Sequence, residues 1–309
     1  MGTIRSLEYH ARAKGARGKR PVSGDARLAG HRTTRLTRAA ALPDSSGQKK
    51  QLRLDSNGLW RKSLPDFRWA NAISKEEWET YRSAIAVIQS CGIPFLLGGG
   101  FALATFTGRW RDTKDIDFYI HPSDRNRVVT ALTKAGFSDY YSQLAYDRKW
   151  IYRSVKSGVI VDIIWAMANQ RAQVDNKWFD HASLAEVRGE RLHVLPLEEL
   201  MWCKLYIMQR DHCDWIDIFN LTYAKGQQVD WDRLIKRLGE DTPLLCAMLQ
   251  VFCWLCPRRG SQLPESLWRR LKMANPVKMQ PRSKRDHIRL LDSRAWFAAL
   301  LPFDRKLEV

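Results

Sequence analysis

The sequence predicts an α+β fold: a mixed sheet flanked by helices over residues 69–195, followed by a helical region over 196–309. Three observations carry this. Short apolar runs bounded by glycine alternate with helical periods up to about residue 195. A Gly-Gly-Gly turn joins one such run to a helix. From Pro196 the apolar period is helical, until the chain becomes rich in Arg and Pro after about residue 257.

Residues 1–62 stand apart. They are rich in Arg, Gly, Ser and Ala and follow neither period, so they bury too little apolar surface to fold alone. They carry 15 Lys+Arg against 4 Asp+Glu, a net of +11 out of +18 for the chain. The other residues hold 36 basic and 29 acidic groups, a net of +7. Three readings of the segment stay open: a basic arm that touches nucleic acid, a targeting segment, or a translation start placed too far upstream.

Order is expected from Trp69. Ser74 and Glu77 form a capping box, and Trp78, Tyr81, Ile85 and Ile88 continue a helix to Ser90. Cys91-Gly92 and Pro94 end it. Phe95–Leu97 reads as a buried strand, Gly98-Gly99-Gly100 as a turn and Phe101–Phe106 as a helix. Asp115–Ile120 is the next strand; Pro122-Ser123 opens a helix that Gly136 closes. Trp150–Val155 and Val159–Trp165 read as strands about a Lys156-Ser157-Gly158 turn, and Leu192–Leu195 as one more. Helices follow over Leu197–Gln209, Asp214–Tyr223, Asp230–Leu238 and Leu244–Leu255, and Trp296–Leu301 is apolar again.

The bulk numbers narrow the class. No apolar run approaches the roughly 18 residues that span a bilayer, so no membrane role is expected. Nothing at the N-terminus resembles a secretory signal. Six cysteines in 309 residues do not make a disulfide scaffold, so a reducing, cytoplasmic compartment is expected. Cys203 and Cys213 fall in apolar helical patterns and are expected to be buried thiols.

The chemistry gathers around the glycine turn and the strand after it. Residues i and i+2 of a strand share a face, so Asp115 and Asp117 set two carboxylates about 7 Å apart. Such a pair is costly without positive charge between its members, and Mg²⁺ prefers carboxylate oxygens plus substrate phosphates. Gly99 and Gly100, feeding a helix N-terminus, leave backbone N–H groups open to a phosphate. Asp162 stands in the apolar run Val159–Ile164, where a charge must be coordinated or paired, so it is either a third metal ligand or the partner of an Arg.

These residues resemble the minimal nucleotidyltransferase (DNA polymerase β-like) superfamily, whose signature is Gly-Gly or Gly-Ser, a short helix, then Asp-x-Asp/Glu between apolar residues. Gly99-Gly100 and Asp115-Ile116-Asp117 fit it, with slightly more residues between than is typical. The run Arg111-x-Thr113-x-Asp115-Ile116-Asp117-Phe118 is similar to the AbiEii-type subgroup of abortive-infection toxins and bacterial nucleotidyltransferases. Glu199–Lys204, Arg210, Asp214 and Asp217 resemble that subgroup's tail. The resemblance covers roughly residues 75–225. It implies a nucleotidyltransferase-fold sheet and Mg²⁺-dependent transfer of a nucleoside monophosphate from an NTP, such as ATP, to an acceptor hydroxyl, with release of pyrophosphate. In that reading Asp115, Asp117 and Asp162 hold a two-ion Mg²⁺ site, and Asp162 also helps deprotonate the acceptor. Arg111 and Lys204 steady the phosphates, with Gly99, Gly100 and Thr113 on the nucleotide. Asp214 either orients Lys204, or Asp214 and Asp217 together are a salt-bridge site on the helix surface.

The acceptor stays open between tRNA or another RNA (toxin-like, with an antitoxin or other protein partner), a protein hydroxyl and an antibiotic-like small molecule. The rivals from other classes are a non-catalytic nucleotidyltransferase-like module and a plain nucleic-acid binder. Cys253 and Cys256 have zinc spacing but no matching second pair, so core thiols are expected. Trp110, between Arg109 and Arg111, is either a base-stacking platform or a hydrophobic anchor.

Overall fold

The computed structural model describes residues 68–111, 113–209, 212–279 and 287, together with two short strands, β1 (Leu52–Leu54) and β2 (Trp60–Lys62). The antiparallel β1–β2 pair falls within the segment expected to lack structure, the rest of which lies outside the described residues. So does Trp296–Leu301.

Helix α1 (Lys75–Ser90) begins at the capping box: Ser74 Oγ accepts from the Glu77 N–H and a Glu77 carboxylate oxygen accepts from the Ser74 N–H, both at 3.1 Å. Strand β3 (Phe95–Leu97) leads through Gly98 into α2 (Gly99–Thr107), so the helix takes in two of the three glycines assigned to the turn. Strand β4 spans Asp115–Ile120. A short 3-10 turn at Pro122–Asp124 leads into α3 (Arg125–Lys134). Strands β5 (Ser138–Asp139), β6 (Ile151–Lys156) and β7 (Val159–Ile164) follow. Then come α4 (Asn176–Asp180), β8 (Ser183–Val187) and β9 (Glu190–Val194).

Seven strands form one mixed sheet in the order β5-β6-β7-β4-β3-β9-β8. The β4–β7 and β3–β9 pairs are parallel and the other four are antiparallel. Ile116, Phe118, Val161 and Ile163, fully buried, form one side of the central strands, and Asp117 and Asp162 stand on the other. The pleat thus separates the core from the chemistry.

Helices α5 (Leu197–Leu205), α6 (Trp215–Lys225), α7 (Trp231–Leu238) and α8 (Thr242–Leu255) follow, then the short α9 (Pro257–Gly260), α10 (Glu265–Arg270) and α11 (Pro276–Met279). The described residues on both sides of 196 belong to one compact unit. The border expected there marks a change of element type, since α5 and α6 pack against α2. Glu199 anchors α5 from beneath: fully buried, it accepts from Arg233 at 2.6 Å and from Arg237 at 2.9 Å. Helix α5 is four residues shorter than the period suggested. After Leu205 the chain folds into a hairpin with a Met208–Cys213 bridge, which carries Asp214 back towards Lys204.

Candidate active site

Three adjacent strands assemble the site. Register pairs Asp117 with Asp162 across β4 and β7, and Asp162 with Arg153 across β7 and β6. Register partners project from the same face, and Asp115, two residues before Asp117, joins them. Asp115, Asp117, Asp162 and Arg153 therefore form one polar group on one face of the sheet.

The glycine turn is fitted to Asp117. The Gly98 N–H donates to the Asp117 carbonyl at 2.8 Å. Gly99 has φ +48°, and a Cβ built on it would lie 1.6 Å from Asp117 Oδ2. Only glycine meets both demands. Gly100 packs under Thr113, whose Cβ would lie 3.2 Å from an added Cβ. Thr113 Oγ1 donates to Asp115 Oδ1 at 2.6 Å, which holds that carboxylate in place.

Arg153 was absent from the candidates read in the sequence. Its Nε donates to Asp162 Oδ1 at 2.8 Å and its Nη2 to Asp162 Oδ2 at 2.5 Å. The same Nη2 stands 3.6 Å from Asp115 Oδ2. Of the two readings open for Asp162, pairing with an arginine is the arrangement seen. The signal was available: a two-residue turn at Ser157-Gly158 pairs Lys156 with Val159, and counting three residues away from the turn along each strand opposes Arg153 to Asp162.

A second cluster backs the first. Lys204, 4% exposed, donates to Asp214 Oδ2 and to Asp217 Oδ2, each at 2.7 Å. Both aspartates are 5% exposed, so they are not a salt-bridge site on the helix surface. Arg111 reaches Asp217 at 3.1 Å, and His212 Nε2 lies 2.9 Å from Asp214 Oδ1. Arg210 lies outside the described residues.

Electrostatics tie the clusters together. Burial pushes the Asp117 carboxyl well above the usual carboxylate range, and Asp115 and Asp162 push it the same way. Lys204 and Arg153 offset this only in part. Burial also raises Asp162, against the pull of Arg153. For Lys204 burial works to lower the value, but Asp217 and Asp214 outweigh it and hold the ammonium above the ordinary lysine range. Five carboxylates thus face three permanent cations, Arg111, Arg153 and Lys204.

That surplus of hard oxygen donors matches the chemistry a divalent cation such as Mg²⁺ requires. Asp115 and Asp117 supply it at the mouth of the glycine turn. Among the described residues no three acids surround a common point able to hold an ion. Both oxygens of Asp162 accept from Arg153 instead.

The remaining candidates resolve simply. Trp110 stacks on Trp69 with ring centroids 5.3 Å apart, and meets Phe101 edge-on, as a hydrophobic anchor does. Cys253 and Cys256 are fully buried thiols, and burial pushes Cys253 up to about 12. Cys203 is buried too, but Cys213 is exposed, because it lies in the hairpin after α5 and not in a helix.

The geometry can be set beside known proteins. No curated protein matched the chain. Among solved structures, the antibiotic-resistance factor ANT(2'')-Ia is similar over 57% of this chain and 96% of its own, with 14% identity and a TM-score of 0.42. The lincomycin-bound lincosamide antibiotic adenylyltransferase LnuA is similar over 48% of this chain and 97% of its own, with 16% identity and a TM-score of 0.35. A CCA-adding enzyme in complex with CTP is similar over 75% of this chain and 53% of its own, with 13% identity and a TM-score of 0.31. These likenesses are loose, and the assignment rests on the family profile that matches residues 78–256, more than half of the chain. The seven strands of the mixed sheet, the glycine turn and both charge clusters all fall inside the match, and the chain belongs to the family described as uncharacterised nucleotidyltransferases.

Proposed function

We propose that the chain transfers a nucleoside monophosphate from an NTP to an acceptor hydroxyl, with Mg²⁺ at Asp115 and Asp117 and release of pyrophosphate. The observation that carries this is the seating of the Asp117 carboxylate directly against Gly99, which brings the acidic pair to a helix N-terminus. Bound there, the metal would supply Lewis-acid polarisation of the phosphoryl oxygens.

The chain's own groups do the rest. Backbone N–H groups at the start of α2 receive the triphosphate. Thr113 holds the Asp115 carboxylate in place through its hydroxyl. Asp162, raised above the usual carboxylate range, is suited to accept the acceptor's proton as in-line attack on the α-phosphate proceeds. Arg111, half exposed and anchored on Asp217, offers a fork to the phosphates. Lys204, held between two aspartates, adds fixed positive charge behind Asp117 more than a direct contact.

RNA is the acceptor this reading favours. Arg109, Arg111 and Lys114 are all exposed on the loop before β4, and the rest of the chain outside residues 1–62 is basic as well. An AbiEii-type, toxin-like role with a protein antitoxin belongs to the same reading, supported by the Arg111–Asp117 run and the Lys204–Asp214–Asp217 contact. The test is to incubate the protein with each labelled NTP, Mg²⁺ and total cellular RNA, beside the Asp115→Ala/Asp117→Ala double variant. Label on RNA with wild type alone supports the proposal, whereas label on the protein or on an added aminoglycoside or lincosamide moves the acceptor to that class. No transfer to any of these sinks the catalytic reading.

A further inference from the structure

We infer that Arg153 is an internal counter-cation that competes with the divalent ion for Asp162 and Asp115, so that ion entry and the release of Asp162 towards the acceptor are one event. The inference deepens the proposed function and rests on its assignment of the metal to the acidic strand.

The Arg153 guanidinium lies between a carboxylate from β7 and one from β4, with Nη2 2.5 Å from Asp162 Oδ2 and 3.6 Å from Asp115 Oδ2. A cation bridging the two strands would need the same oxygens. Arg153 carries one positive charge against three carboxylates on the same face of the sheet, Asp115, Asp117 and Asp162.

A second buried acid in the molecule is held differently. Glu199 with Arg233 and Arg237 is a closed structural cluster: the acid is fully buried, and the arginine side chains are 16% and 14% exposed. The Arg153 and Asp115 side chains are 30% and 28% exposed. This pair is open to solvent, as a site that admits an ion must be.

The head of Arg153 can leave while its backbone stays. The Arg153 N–H donates to Tyr146 Oη at 3.0 Å, and that hydroxyl donates to Asp139 Oδ1 at 2.9 Å. With the β6–β7 ladder, this pins the strand independently of the guanidinium. Arg153 is thus a positioning residue: it stabilises the acids while no ion is bound and yields Asp162 when one arrives. A carboxylate on the acceptor side then becomes available only with the nucleotide's metal in place, which would suppress idle turnover.

Mn²⁺ affinity tests this without any turnover. Free Mn²⁺ is followed by electron paramagnetic resonance during titration of the full chain, without nucleotide, for wild type, Arg153→Gln and Arg153→Lys. Removing a like charge this close to the ion should tighten Mn²⁺ binding by about tenfold in Arg153→Gln. Arg153→Lys, which keeps the charge but loses the fork, should fall between the two, and it carries the test if the glutamine variant does not fold. Unchanged or weaker binding in a variant that melts like wild type overturns the inference. The Asp115→Asn/Asp117→Asn variant separates the two levels of argument. If it still binds Mn²⁺ like wild type, the metal assignment has failed and the inference with it. If it loses Mn²⁺ while the Arg153 variants bind no more tightly, only the inference fails.

Discussion

Replacing Gly99 by Ala should cripple turnover far more than it destabilises the fold. The new methyl would lie 1.6 Å from Asp117 Oδ2, where ordinary contact begins at 3.4 Å, so the carboxylate must retreat by about 1.8 Å. A misplacement of about 1 Å at a reacting centre costs on the order of 10²-fold in rate, so Gly99→Ala should lose at least about that factor. The backbone cost is separate: Ala in the left-handed region costs about 1–2 kcal/mol. Gly92 isolates it. It has φ +64° and nothing within 4 Å of an added Cβ, so Gly92→Ala meets the same backbone demand with no carboxylate to displace. The assay is the initial rate of pyrophosphate release in the label-transfer mixture, with a urea melt of each variant. Both should lose a similar 1–2 kcal/mol, and only Gly99→Ala should lose the rate. A folded Gly99→Ala protein within about threefold of wild-type turnover would refute the claim that the turn is fitted to Asp117.

Other outcomes follow from the same geometry. Lys204→Met should destabilise the fold by about 3–5 kcal/mol in urea, because it strands Asp214 and Asp217 as buried charges, whereas a loss under 1 kcal/mol would mean the pair is solvated. Asp117→Asn should abolish transfer yet melt higher than wild type at neutral pH without metal. The sign follows from the raised carboxyl: folding favours its protonated form, so its contribution is present at low pH and lost as pH rises through the folded value. A lower melting temperature for Asp117→Asn at neutral pH would contradict this. Trp110→Ala should cost about 2–4 kcal/mol through its contacts with Trp69 and Phe101 and leave the preference among the four NTPs unchanged, which competition with unlabelled nucleotides would check.

Much of this was legible in the sequence because it is local. The Ser74–Glu77 box, the helix behind it, the Phe95–Leu97 strand and the Asp115–Ile120 strand are set by residues a few positions apart. The same holds for the Lys156–Gly158 turn. What escaped has two physical causes. Strand β8 is an edge strand with two exposed residues, and its turn puts Arg188, an unusual residue for positive φ, beside Gly189. The sheet order is non-local: nothing near Asp117 says that β7 lies beside it in parallel, or that β6 brings an arginine to the third acid. Arg153 could be reached only by carrying the turn's register along both strands. The hairpin after α5 was hidden for a related reason. The apolar pattern of Ile207 and Met208 mimics a helix, whereas Met208 is 53% exposed and the chain bends to bring Asp214 to Lys204.

The central claim is that the acids of β4 hold a divalent cation opposite the glycine turn. Anomalous diffraction from crystals grown with Mn²⁺ and a non-hydrolysable NTP analogue tests it most directly. A manganese peak is expected about 2.1 Å from oxygens of both Asp115 and Asp117, with the triphosphate on the start of α2. Manganese bound elsewhere, or an analogue seated away from Gly99 and Gly100, would contradict it.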